Sequence, residues 1–106
     1  MTIPIAVLGF ASARPEKSAE LQDALLALAD RARREPGCID YRVHQASEDK
    51  DMFVFYEVWR SQEDLDVHLA LPYVADFMAE RMTYLRRDID HRVLEVCEPV
   101  GAGEGR

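Results

Sequence analysis

Met52-Phe53-Val54-Phe55-Tyr56-Glu57-Val58-Trp59 reads as a β-strand with almost no polar side. Aromatic and β-branched residues fill it, the composition that suits a pleated, packed surface. Side chains alternate across a strand. Phe53, Phe55, Glu57 and Trp59 therefore share one face, and Met52, Val54, Tyr56 and Val58 share the other. A strand apolar on both faces needs cover on both, so this one belongs inside a sheet.

Upstream, Ala46 to Asp51 is a polar turn, and Cys38 to Gln45 alternates Ile39, Tyr41 and Val43 against Asp40, Arg42 and His44. That is a second strand. It follows Glu35-Pro36-Gly37, a breaker that ends a helix read over Glu16 to Arg34. Leu21, Leu25, Leu28 and Ala32 recur at helical spacing along it. Ile3 to Ala11 is apolar almost throughout and forms the first strand. Downstream, Ser61-Gln62-Glu63-Asp64 reads as a capping box, with the Asp64 carboxylate in place of the usual Glu. Leu65, His68 and Leu69 then share a helix face. Pro72 interrupts this helix and opens a third helical stretch to Arg87, since proline fits a first turn. Ile89 to Val96 is the last strand. The segment 99–106 carries three glycines and is expected to be a disordered tail, which makes residues 1–98 the domain.

The order β-α-β-β-α-β predicts an α+β, ferredoxin-like fold with a four-stranded antiparallel sheet in the order 4-1-3-2. Strands two and four are then opposite edges, too far apart for Cys38 and Cys97 to form a disulfide. The helices of such a fold cover one sheet face. The first strand, like the third, is apolar on both faces: Ile3, Ile5 and Val7 against Ala6, Leu8 and Phe10. An exposed apolar face of that size predicts a homodimer, with two copies packed sheet to sheet.

A length of 106 residues is one domain's worth. Asp plus Glu number 20 against 13 Lys plus Arg, a net charge of -7, which speaks against nucleic-acid or anionic-membrane partners. No apolar run approaches the roughly 20 residues of a membrane span. Met1 to Phe10 lacks the basic start and cleavage site of a secretory signal, so a cytoplasmic location is expected. The two cysteines form no CxxC pair and the three histidines lack ligand spacing, so no metal is expected. No glycine-rich nucleotide loop is present, and no cofactor is expected either.

Glu35-Pro36-Gly37-Cys38-Ile39-Asp40-Tyr41, then Phe53 to Ser61 with its Glu57, Trp59 and Ser61, followed by Leu65, His68, Pro72-Tyr73 and Phe77, resembles the antibiotic biosynthesis monooxygenase family. The resemblance covers roughly residues 3 to 97. It implies a dimeric α+β barrel with a pocket between helices and sheet in each subunit. It implies either oxygenation of phenols or quinols without flavin, haem or metal, or haem degradation. The haem-degrading branch uses an Asn on strand one together with a Trp and a His. This chain has Val7, Leu8, Gly9 and Phe10 there, and no Asn at all, which argues against haem.

Oxygenation without a cofactor needs an electron-rich substrate anion, a base and a dry pocket. His68 is the candidate acid/base, because an imidazole titrates near working pH. A histidine merely packed beside Pro72 is the alternative. Trp59 is a pocket wall or a core aromatic. Glu57, between aromatics, must either pair, with Arg81 or Arg42, or hold its proton to a higher pH. Tyr41, Phe55, Tyr73, Phe77, Met78 and Arg81 complete the expected substrate-binding set. His44 and His91 occupy polar positions of strands and are expected in solvent or at the dimer rim. Three functions fit: a cofactor-independent monooxygenase using dioxygen on a phenolic, quinol or polycyclic aromatic substrate, a non-catalytic dimer binding a small aromatic ligand, or a cyclase or isomerase using His68.

Overall fold

The structure, a computed structural model, describes residues 2–98; the expected disordered tail lies outside them. The elements are β1 (Ile5–Ser12), α1 (Ser18–Ala32), β2 (Cys38–Gln45), β3 (Met52–Trp59), α2 (Gln62–Ala70), α3 (Pro72–Glu80) and β4 (Asp90–Glu95). All pairings are antiparallel and the sheet order is β2-β3-β1-β4. The fold is the ferredoxin-like α+β arrangement that the sequence predicts, with β3 and β1 at the centre; β2, which carries Cys38, and β4, beyond whose end Cys97 lies, are the opposite edges.

α1 buries Leu21, Leu25, Ala29 and Ala32, the i, i+4, i+8, i+11 stripe of a helix lying on a sheet. It starts later than Glu16, because Pro15–Lys17 form a 3₁₀ turn first. At its far end Arg34 and Glu35 donate to the carbonyls of Arg31 and Ala32, which tightens the chain into Pro36-Gly37. Ser61 caps α2 as read: its hydroxyl accepts from the Asp64 amide at 3.2 Å. α3 stops at Glu80 and does not reach Arg87. The Arg81 guanidinium donates to the Met78 carbonyl and the Thr83 hydroxyl to that of Glu80, so side chains satisfy the last carbonyls. The chain then returns to the sheet through a bridge between Leu85 and Ala13.

Strict alternation in β2 fails at one place. The pairing with β3 shifts between Cys38 and Asp40, so Ile39 is an extra, bulged residue and is 42% exposed. The bulge leaves Cys38 opposite Trp59 and Tyr41 opposite Glu57, both on the helix-covered face.

That face carries Ile5, Val7, Phe53, Phe55 and Trp59, all in one core with α1 and Leu65. On the opposite face Leu8, Phe10, Met52, Val54 and Tyr56 are only half-buried, and Leu94 is 45% exposed. No helix among the described residues is long and apolar enough to cross a membrane.

Gly9 is where the sheet face opens for the site. A Cβ there would lie 2.0 Å from the Phe55 ring, which crosses β1 over the glycine and meets His91 of β4 at 5.8 Å, edge to face. Gly9→Ala should force the ring aside and cost about 1–3 kcal/mol. Thermal unfolding should show a Tm lower by several degrees. An unchanged Tm would mean that the ring position does not depend on the glycine.

Candidate active site

Sheet register sets the floor of the site. Tyr41, Glu57, Val7 and Val93 lie side by side across the four strands, and the next row toward Gly9 holds Val43, Phe55, Gly9 and His91. Over these rows α1 lays Leu25 and Leu28, α2 lays His68 and Leu69, and α3 lays Val74, Phe77 and Met78. Together they enclose a cavity of about 40 Å³. That volume holds no more than a few waters. Glu57, Leu69, Met78 and His91 also wall a larger cleft of about 370 Å³, completed by Val7, Leu65 and Val93. The cleft is the part large enough for an organic ligand.

Three buried titratable side chains face this space, Tyr41, Glu57 and His68. Trp59 Nε1 donates to Glu57 Oε1 at 2.8 Å. The indole also lies against the imidazole, with ring centroids 4.4 Å apart and planes at 33°. His68 Nδ1 sits 2.8 Å from Glu35 Oε2, and the Tyr73 hydroxyl donates to the same oxygen. An ionised carboxylate only accepts, so the neutral ring carries its proton on Nδ1. The Nε2 lone pair then points inward, 3.9 Å from Glu57 Oε1. Arg31 lies over the Tyr73 ring at 4.2 Å and backs this arrangement from α1.

Gly37 brings the carboxylate to the histidine. A Cβ at that position would meet Asp64 Cγ at 2.3 Å, so only glycine lets the α1–β2 turn rest on the first turn of α2. Arg60 fixes the same Asp64 at 2.8 and 3.0 Å.

Burial pushes the Glu57 carboxyl above its ordinary range, opposed by the Trp59 hydrogen bond, by His68 and by the Tyr41 hydroxyl. The folded state thus holds this proton more tightly than the unfolded chain does. Glu57 therefore subtracts stability as pH rises from the unfolded carboxyl range through its raised folded one. Burial likewise raises Tyr41 well above a free phenol, with Glu57 adding to the shift, and lowers His91, which favours its neutral form. A raised carboxyl and an imidazole with an inward lone pair, in a largely apolar recess, can accept and return a proton from a bound hydroxyl.

His68, Glu57, Tyr41, Phe55, Phe77 and Met78 meet at the cavity. Three others are placed elsewhere. Trp59 is fully buried behind the cavity, holding Glu57 and His68 rather than walling the space. Tyr73 lies on the far side of His68, bound through Glu35. Arg81 is absent from the lining, because Asp88 takes its guanidinium at 2.8 and 3.0 Å. Nor does either arginine pair with Glu57, since Arg42 bonds Asp40 at 2.8 Å. His91 is solvent-exposed on the edge strand, as expected, and it also borders the cavity and packs edge-on against Phe55. Sequence reasoning does not single out Glu35: the proline and glycine that follow make it read as part of a helix stop beside strand two. No cluster of three metal-ligating side chains occurs among the described residues.

Comparison with known proteins gives one consistent answer. The family model described as antibiotic biosynthesis monooxygenase matches residues 4–80. An uncharacterized protein of Synechocystis, sll1783, is 30% identical over 90% of this chain, which spans 65% of that relative's length. Rv0793 of Mycobacterium tuberculosis, named as a candidate monooxygenase, is 28% identical over 96% of this chain and all of its own. The structure of Rv0793 superposes with a TM-score of 0.86, at 27% identity over 92% of this chain and 98% of that one. PA3566 of Pseudomonas aeruginosa gives a TM-score of 0.85, at 26% identity over 92% and 98% of the two chains.

Proposed function

Since the chain belongs to the antibiotic biosynthesis monooxygenase family, we propose that it oxidises a phenolic or quinol substrate with dioxygen and no cofactor. The observation that carries this reading is the pair of His68 Nε2 and Glu57 at the wall of a mostly apolar, aromatic-lined recess. His68 takes the proton of the substrate hydroxyl. The resulting anion passes one electron to dioxygen, and the phenoxyl radical and superoxide join at a ring carbon as a peroxide. The peroxide anion takes a proton back from His68. Loss of that carbon's proton, which the departing hydroxide takes up, then breaks the O–O bond and leaves a carbonyl and water. One dioxygen is consumed per substrate, one of its atoms ending in product and the other in water. Burial keeps the anion and radical away from bulk water. The test is oxygen uptake over a panel of quinols and anthrones, with labelled dioxygen to follow the inserted atom. No uptake above the uncatalysed rate for any of them would refute the assignment.

We further propose that the working unit is a homodimer. Leu8, Phe10, Val54 and Tyr56 on the uncovered sheet face, with Leu94 beside them, support a second sheet as the cover. Sedimentation should give twice the chain mass, and Tyr56→Asp should shift it toward the monomer by placing a charge in the contact. A clean native monomer at micromolar concentration would overturn this.

A further inference from the structure

We propose that Glu35 is the proton outlet of the site, passing the proton that His68 receives in the cavity to a solvent groove on the other side of the ring; this rests on the oxygenase reading above only for what supplies the proton. The base is buried. The side chains of His68 and Glu57 are 4% and 7% exposed, whereas that of Glu35 is 14% exposed. Glu35 also lines a different space, a groove of about 470 Å³ with Arg31, Arg34, Val67, Leu71 and Tyr73. Neither His68 nor Glu57 borders that groove, and Glu35 does not border the cavity. The imidazole is the partition between the two, with Nε2 toward Glu57 and Nδ1 on Glu35 at 2.8 Å.

An imidazole in this position moves a proton without moving itself. The substrate O–H breaks as Nε2–H forms. The Nδ1–H then breaks as a proton joins Glu35 Oε2, and from there it reaches groove water. The ring is left neutral with its proton on Nε2. When the peroxide anion forms, the path runs backwards: Nε2 gives the peroxide its proton, Nδ1 regains one through Glu35, and the starting tautomer is restored. Protons and charge therefore balance over one cycle. Tyr41 from β2, Glu57 from β3, Tyr73 from α3 and Glu35 from the α1–β2 turn are the titratable groups that face the ring. Of these, only Glu35 both touches a ring nitrogen at hydrogen-bond distance and borders the groove.

Nitrogen-15 NMR of histidine-labelled protein tests this without a substrate. The neutral His68 ring should carry its proton on Nδ1. Glu35→Gln keeps an oxygen for that N–H to donate to but cannot carry a proton onward, so the tautomer should persist while exchange of this proton with water slows by about 10²-fold. Unchanged exchange in a folded Glu35→Gln chain overturns the outlet. Should that variant not fold, the native chain still decides: a neutral His68 protonated on Nε2 overturns it, and one protonated on Nδ1 with rapid water exchange supports it. Slowed exchange in a chain that oxidises no phenol leaves the outlet standing and removes the oxygenase reading. Unchanged exchange in an active oxygenase removes the outlet alone.

Discussion

Trp59→Ala should lose about 3–5 kcal/mol of stability, the cost of emptying the space of a large buried aromatic. Small domains hold about 5–15 kcal/mol in all, so much of the margin would go. Trp59 is 0% exposed, and it serves three neighbours at once. Its ring fills the end of the core beside Leu65, its Nε1–H satisfies Glu57, and its face carries His68. Truncation removes the packing and also leaves a buried carboxylate oxygen without its donor, a further cost of about 1–3 kcal/mol where water cannot replace the bond. Trp59→Phe separates the two effects, since it keeps most of the apolar bulk and removes only the N–H. It should also carry the Glu57 carboxyl further upward, because the lost hydrogen bond favoured the charged form. The pH range over which ionising Glu57 erodes stability should then extend to higher pH than in the native chain. Urea unfolding at several pH values reads both quantities. A Trp59→Ala chain as stable as the native one would show that the indole is not what holds this corner together.

Much of this corner is legible in the sequence, and the reasons are local. Strand parity puts Phe55, Glu57 and Trp59 on one face, and helix spacing puts His68 beside Leu65; both rules survive because neither element is interrupted. The remainder depends on relations between elements. Ile39 looks like a member of the Tyr41 face until the pairing with β3 shows it to be an extra residue, and periodicity within one strand cannot reveal that. The side on which His91 falls is set by its register with Gly9, and its use is set by the missing Cβ that lets Phe55 cross over. Arg81 looks free to pair with Glu57 if α3 runs on to Arg87. Ending the helix at Glu80 instead places Asp88 where it takes the guanidinium. Glu35 is the clearest case. Beside Pro36 and Gly37 it reads as part of a stop signal, and only the packing of the turn onto α2 gives the carboxylate a partner.

His68→Ala should lower the turnover number for phenol or quinol oxidation by about 10²–10⁴-fold, the usual worth of a positioned general base. The loss should fall on kcat more than on KM, because the apolar walls of the adjoining cleft, Val7, Leu65, Leu69, Met78 and Val93, remain to hold the substrate. The substitution also leaves Glu35 and Glu57 without the ring that separates and bonds them. Thermal unfolding must therefore accompany the kinetics, so that a collapsed site is not mistaken for a missing base. His68→Gln is the sharper variant: it restores polar bulk between the two carboxylates but cannot shuttle a proton at neutral pH. If both variants fold and both lose turnover, the base is the imidazole. If His68→Gln turns over like the native chain, proton transfer passes through another group, and Glu57 becomes the candidate, since burial already raises its affinity for a proton. A substrate already ionised in solution supplies the last discrimination. An acidic phenol needs no base, so its oxidation should be much less sensitive to His68→Ala than that of a weakly acidic one. Equal losses for both would mean that His68 acts on binding or orientation rather than on the proton.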